Sequence, residues 1–288
     1  MADKTYLRKP EWLKIKIPGG KEYSKIKENL RYNNLHTVCE EAKCPNIGEC
    51  WSAGVATIMI LGDTCTRACG FCNVKTGRPG FYDLEEPARV AESVANMPGL
   101  KYLTITSVNR DELDDQGSQV WFETIKAIRS LAPHVKVEVL TPDFRGNTSI
   151  LDAVLEAKPD VFNHNMETVT RLQKSVRRMA NWHDSITVLR HAKAQGFVTK
   201  TGLMVGLGET DEEIYEWIDQ MVEINVDIIS IGQYLQPTKK HLAVTRYVDP
   251  QTFVAYKNYA QSKGVQNIES GPLVRSSYHA SQQSEGKV

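Results

Sequence analysis

The sequence predicts an α/β fold: a partial (β/α)6 barrel of the TIM type, with N-terminal and C-terminal extensions closing its mouth. Three observations lead there. Apolar, β-branched runs at residues 57–61, 102–108, 135–140, 161–165, 198–205 and 228–234 read as six buried strands, and amphipathic stretches alternate with them. Polar residues collect at the C-terminal ends of those runs: Thr106 and Ser107, Thr141, Asn163 to Glu167, residues 206–209, and Gln233 with Tyr234. An open doubly wound sheet would also satisfy the alternation, but one barrel mouth accounts for all five polar sets at once. Six cysteines, Cys39, Cys44, Cys50, Cys65, Cys69 and Cys72, flank the first strand and none occurs after them.

A chain of 288 residues accommodates one barrel, and an apolar fraction of 41% supplies its core. Lys and Arg total 35, as do Asp and Glu, so overall charge recruits neither nucleic acid nor a membrane surface. No apolar run is long enough to span a bilayer, and the first residues lack a secretory or mitochondrial leader pattern, so the expected compartment is the cytoplasm. In a reducing compartment, clustered thiols read as metal or cluster ligands before disulfides.

Taken in order, residues 1–54 form an N-terminal extension. It begins as a polar arm with Arg8-Lys9-Pro10-Glu11-Trp12-Leu13, a turn at 18–20 and a short helix near 22–30. It ends in Cys39-x4-Cys44-x5-Cys50, where Pro45, Asn46 and Gly48 break any helix and leave a loop able to wrap three thiols around one centre. A fourth ligand is missing, and zinc with a distant fourth ligand is the alternative.

The barrel spans residues 55–264. Its first strand leads straight into Cys65-x3-Cys69-x2-Cys72. Three thiolates leave one iron of a cubic iron–sulfur cluster open to a substrate, and Phe71 puts an aromatic face beside it. The alternatives are a zinc knuckle short of a ligand, with no His or Cys following until His134, or a disulfide with a spare thiol. After the second strand, Asn109 to Asp115 is an acidic run that reads equally as a solvated helix start, while Thr106 and Ser107 are placed to hold a ligand. Trp121, Ile125 and Ile128 mark one helical face. Asn163, Asn165 and Glu167 end the fourth strand, where Asn165 or Thr168 could also cap a helix and His164 reads as a satisfied buried histidine. Gly196 stops the helix of residues 185–195. Gly202, Gly206 and Gly208 let backbone approach a flat ligand, and Asp211-Glu212-Glu213 opens the helix carrying Ile214, Trp217, Ile218 and Met221. Residues 265–288 form the C-terminal extension: a loop over 271–280 and a polar, mobile tail over 281–288.

Together, the two cysteine triads, Arg275-Ser276-Ser277-Tyr278, Asn163-His164-Asn165-Met166-Glu167-Thr168 and Gln233-Tyr234-Leu235-Gln236-Pro237 resemble the lipoyl synthases of the radical S-adenosylmethionine (SAM) superfamily. The likeness runs from about residue 7 to 280. It implies the radical SAM type of partial barrel and two [4Fe–4S] clusters. One is held by Cys65, Cys69 and Cys72 and cleaves SAM to methionine and a 5′-deoxyadenosyl radical. The other is held by Cys39, Cys44, Cys50 and a serine, of which Ser277 is favoured over Ser276, and is consumed as sulfur donor. Phe71, Thr106, Ser107, Asn163, Asn165, Glu167, Gly206, Gln233 and Tyr234 are the implied SAM contacts, although Met204 stands where the family's glycine-rich element has isoleucine. The implied reaction inserts sulfur at C6 and C8 of an octanoyl group. That group is carried by a lipoyl domain of a dehydrogenase complex E2 subunit or by the glycine cleavage H protein. A flavodoxin or ferredoxin as electron donor and an iron–sulfur carrier for cluster rebuilding complete the implied partners. Asn109 replaces the family's usual aspartate, which leaves no charge at that position. Outside this likeness, the residues alone also allow a sulfur-inserting enzyme acting on a free small molecule, or a non-catalytic metal-binding protein.

Overall fold

Seven parallel strands line up in the order in which they occur in the chain: β1 (Val55–Ile60), β2 (Tyr102–Ser107), β3 (Lys136–Leu140), β4 (Val161–Asn163), β5 (Val198–Val205), β6 (Ile228–Gln233) and β7 (Asn267–Gly271). The computed structural model describes residues 7–15, 19, 21–42, 44–80, 83–97 and 99–284. Strand order never reverses, so the sheet has no switch point of the doubly wound kind, and β1 and β7 are its edge strands. The first six strands are the six read from sequence. The seventh lies in the C-terminal extension, where Asn267, Glu269 and Ser270 surround one buried apolar residue, Ile268, and give no strand-like run.

Curvature shows in side chains that meet across several strands. Glu138 on β3 accepts from Tyr102 Oη on β2 at 2.7 Å, from Asn163 Nδ2 on β4 at 2.7 Å and from Lys200 Nζ on β5 at 3.1 Å. Glu138 and Lys200 are fully buried, so this ion pair lies inside the barrel. Helices cover the outside. Ser118–Leu131 buries Trp121, Ile125 and Ile128, and Asp211–Glu223 buries Ile214, Trp217, Ile218 and Met221 behind a Thr210–Glu213 capping box. Gly196 takes φ +85° two residues after Trp182–Ala194 ends, the left-handed turn a glycine allows.

The extensions attach at both ends of the sheet. Helix Lys21–Tyr32 buries Ile26 and Leu30, and Tyr23 stacks on Trp51 at 5.0 Å. His36 then forms an antiparallel bridge to Met59 of β1. The turn expected at 18–20 lies largely outside the described residues. Three expectations need correction. No helix starts at Asn165 or Thr168: Glu167 has φ +66° and bridges to Leu203, and further on a 3-10 turn, Thr170–Leu172, runs into the one-turn helix Gln173–Val176. Asp111 of the acidic run is buried against arginines, not solvated. Residues Ala280–Ser284 form a helical turn that buries Gln283, so this part of the tail is docked, while 285–288 lie outside the described residues. Among the described residues no helix is long and apolar enough to cross a membrane.

Candidate active site

The loop after β1 is bent by two consecutive left-handed residues, Leu61 at φ +67° and Gly62 at φ +86°. Leucine adopts this conformation at a cost, and the buried Glu86 carboxylate holds it by accepting from Leu61 N at 2.6 Å and Gly62 N at 3.3 Å. Thr64–Cys65 then pairs with Lys75–Thr76, closing the cysteine loop at its base. Within the loop, Arg67 is 3% exposed and donates to Asp111 at 2.7 Å and to Asp143 at 2.8 Å. Burial alone would raise both carboxyls, but the Arg67 guanidinium holds them below the usual carboxylate range. The far side is tied to later loops. Gly70 N donates to Val176 O, Leu242 N donates to Gly70 O, and His241 Nε2 donates to Cys72 O at 2.9 Å.

All six cysteines are free thiols. Among the described residues no three His, Cys, Asp or Glu side chains converge tightly on one metal ion, so the fit to a cluster rests on the thiols' surroundings. Cys65 Sγ accepts from the backbone N–H of Arg67 at 3.4 Å and of Asn109 at 3.3 Å and donates to Asn109 Oδ1 at 3.9 Å. Burial pushes Cys69 up to about 11 and Cys72 up to about 12, so these two sit in a site that favours neutral sulfur until cationic iron arrives. Each also feels the charge of the other loop cysteines and of Glu167. Three thiols in one loop, with Cys69 and Cys72 both feeling the charge of Cys65 and N–H donors on Cys65 Sγ, are a donor set of the kind a thiolate-held cluster takes.

The N-terminal triad is not the helix-free loop expected. Cys39 lies in the short helix Val38–Glu41, Cys50 lies in Ile47–Ser52, which includes Gly48, and only Cys44 is in the loop between them. Thr37 caps the first helix, its hydroxyl accepting from Cys39 N and donating to Thr57 O. Cys39 and Cys44 share a hydrogen bond that lowers Cys44 and raises the buried Cys39, and the charge of Arg275 lowers Cys44 further. The C-terminal extension docks on this segment. Asn46 Nδ2 donates to Leu273 O at 2.6 Å, Tyr278 Oη donates to Glu49 at 3.2 Å, and His279 stands 3.5 Å from Glu49 and 3.4 Å from Glu269. Burial, then the charges of Glu49 and Cys50, push the Tyr278 phenol up to about 12. Arg275 and Tyr278, which bracket the two serines, therefore sit beside Cys44 and Cys50 respectively.

The residues proposed from sequence to touch SAM divide into two groups. Asn165 and Glu167 line a cavity of about 120 Å³ with Met204, Ser230, Arg275 and Ser276, between the two triads. Burial raises the Glu167 carboxyl, and the nearby Arg177 charge lowers it in part. Thr106 Oγ1 donates to Leu140 O, while Ser107 Oγ has no hydrogen-bond partner among the described residues. The others are engaged within the protein. Asn163 Nδ2 is taken by Glu138. Gln233 Nε2 donates to the carbonyls of Val205, Tyr234 and Arg246, and its Oε1 accepts from Val248 N, which leaves no polar atom for a ligand. Tyr234 Oη donates to Leu242 O, and Phe71 packs in the same small cluster. A Cβ on Gly206 would lie 2.2 Å from Gln233 Nε2, so this glycine makes room for protein, and Glu209 accepts from Gly206 N and Leu207 N. These groups brace the covering loop, residues 234–248 after β6, which reaches the first cysteine loop where Leu242 N donates to Gly70 O. His164 is the satisfied buried histidine expected: Nδ1 donates to Thr141 O, Nε2 accepts from Ser185 Oγ, and burial lowers it to about 4.

Sequence reasoning passed over Arg67, Glu86, Asp143, Asn46 and Glu49. Only the three residues flanked by cysteines, Arg67, Asn46 and Glu49, carried a signal, as polar residues inside candidate ligand segments.

The radical SAM superfamily model matches residues 59–221, and the model of the N-terminal domain of lipoyl synthase matches residues 1–44. The lipoyl synthase of Rubrobacter xylanophilus is 55% identical over 279 residues, covering 96% of this chain and 87% of the relative. The chain belongs to the lipoyl synthase family. The mitochondrial lipoyl synthase of Nematostella vectensis is 51% identical over 273 residues, covering 94% of each chain. Among solved structures, methylornithine synthase superposes with a TM-score of 0.57 at 14% identity, covering 84% of this chain and 68% of its own. Streptococcus suis SuiB bound to SAM gives 0.59 at 13%, covering 78% and 53%. Both likenesses concern the fold. As a lipoyl synthase of the radical SAM superfamily the chain is an enzyme, and a [4Fe–4S] cluster and SAM belong to its chemistry.

Proposed function

We propose that this lipoyl synthase holds two [4Fe–4S] clusters, one on Cys65, Cys69 and Cys72 and one on Cys39, Cys44, Cys50 and Ser277, and inserts sulfur at C6 and C8 of an octanoyl group on a carrier protein. When bound, the first cluster with SAM supplies a radical able to take hydrogen from an unactivated carbon, and the second supplies sulfur. The chain's own residues supply the positioning. Arg67, held by Asp111 and Asp143, fixes the first loop, and the N–H groups of Arg67 and Asn109 hold Cys65 Sγ in place. Asn165 and Glu167 provide the polar contacts for SAM, and Gln233 and Tyr234 hold the covering loop that limits water. The carrier is an octanoylated lipoyl domain of an E2 subunit or an H protein. A flavodoxin or ferredoxin donates electrons, an iron–sulfur carrier rebuilds the second cluster, and the enzyme works in the cytoplasm.

The observation that carries the reading is the docking of the C-terminal extension on the N-terminal cysteine segment through Asn46–Leu273 and Glu49–Tyr278, which supports a serine ligand completing that triad. Separate triple variants test it. Cys39, Cys44 and Cys50 changed to Ala should lose about half of roughly eight irons per chain and all lipoyl product, yet keep SAM cleavage. Cys65, Cys69 and Cys72 changed to Ala should lose cleavage itself. Lipoyl product from the first variant would exclude the second cluster as sulfur donor.

A further inference from the structure

We propose that the adjacent serines of the C-terminal extension serve different sites, and that Ser276 is a positioning residue for SAM binding and not a metal ligand. This rests on the reading above that Asn165 and Glu167 contact SAM and that Ser277 completes the N-terminal triad. Asn165 Nδ2 donates to Ser276 Oγ at 2.6 Å, joining residues 111 apart in sequence. Both side chains line the cavity between the triads, together with Glu167. A side-chain amide can face either way at small cost, so its neighbours decide which end meets the ligand. The Ser276 oxygen accepts from the NH2 end, and the Glu167 carboxylate also favours that end, since either would meet an amide oxygen less well.

Two acceptors in the same cavity are left over. Asn165 Oδ1 and Ser230 Oγ are buried without a hydrogen-bond partner among the described residues. Unpaired buried polar atoms are costly, and SAM brings donors in its ammonium and ribose hydroxyls. Holding the amide with its NH2 end occupied therefore presents its oxygen to the cofactor.

The backbone keeps Ser276 there. A Cβ on Gly232 would lie 2.1 Å from Val274 O, so only glycine on β6 lets the extension come this close. Asn46 to Leu273 O and Tyr278 to Glu49 secure the segment on either side of Ser276. A hydroxyl so engaged at the cofactor cavity is not free for iron, and its neighbour is.

The test uses Ser276→Ala, Ser276→Thr, Ser277→Ala and Asn165→Ala enzymes, each anaerobically reconstituted and kept oxidised so that SAM binds without being cleaved. SAM affinity is measured by equilibrium dialysis and iron by assay on the same samples. Ser276→Ala should bind SAM about 3- to 10-fold more weakly, the loss of one ordinary hydrogen bond, and keep full iron. Ser276→Thr, which retains the hydroxyl, should restore affinity. Iron loss in Ser276→Ala would make Ser276 the ligand and overturn the proposal, as would unchanged SAM affinity. Asn165→Ala separates the two levels. If it leaves SAM binding intact, the cofactor role of Asn165 fails and the proposal falls with it. If it weakens binding while Ser276→Ala does not, only the proposal falls. Full iron in Ser277→Ala would count against the ligand reading of Ser277 alone.

Discussion

Arg67 and Asp143 meet at 2.8 Å with side chains 3% and 1% exposed, and that contact ties the loop between Cys65 and Cys69 to the end of β3. The same guanidinium grips Asp111 at the end of β2, so one residue of the cysteine loop is registered against two neighbouring strands. Removing the cation leaves two buried carboxylates without their main partner. Arg67→Leu should destabilise the apo protein by about 3–5 kcal/mol in denaturant unfolding, and Arg67→Lys by less, since one charge remains without the fork.

That pair also sets an acid limit. Asp111 and Asp143 are held below the unfolded carboxylate value of about 3.9, so their contribution is complete above it and drains away as pH falls through the lower folded values. Without the cation, burial raises both carboxyls in the variant, so the stability gap between wild type and Arg67→Leu should be largest near pH 7, begin to narrow above the unfolded value of about 3.9 and go on narrowing below it. A gap that stayed constant down to pH 3 would show that the pair does not depress either carboxyl.

His164 acts in the same direction at milder pH. Its folded value is about 4 because burial disfavours the imidazolium, against about 6.5 unfolded, so the unfolded chain takes the proton first. Wild type should lose roughly 3 kcal/mol relative to His164→Gln between pH 7 and 4. Urea unfolding at the two pH values reads this directly.

Glu86 holds the left-handed Leu61–Gly62 turn through two N–H donors. Glu86→Gln turns one acceptor into a donor facing an N–H, and should cost about 2 kcal/mol of stability. Leu61→Gly should relieve backbone strain yet lose a buried side chain, so the net change for that variant is expected to be destabilising as well. Thermal and denaturant unfolding of the two variants, each compared with wild type, checks both.

On the proposed ligand set, Ser277 would offer a hard oxygen where the other three ligands are sulfur. Ser277→Cys should keep the second cluster and release iron to a chelator more slowly than wild type, with slower lipoyl formation. Ser277→Ala should lose that iron faster. Chelation kinetics followed alongside 5′-deoxyadenosine formation checks both, because SAM cleavage should persist in each variant.

Six of the seven strands, the strand order and the loop of Cys65, Cys69 and Cys72 were legible from sequence, because strand period, alternation and thiol spacing are local properties of the chain. The short helices carrying Cys39 and Cys50 were not, since Pro45 and Gly48 read as breakers. The C-terminal extension was legible only through resemblance, since its composition carries no strand or ligand signal. Tertiary structure decided what depends on residues far apart in sequence. It brought Asn46 and Glu49 to Leu273 and Tyr278, Asn165 to Ser276, and Arg67 to Asp143. It also turned Gln233, Tyr234 and Gly206 from expected cofactor contacts into supports for the covering loop. A polar residue at a strand end advertises hydrogen-bonding capacity, but whether a ligand or a neighbouring carbonyl takes it up is settled only when the barrel closes around it.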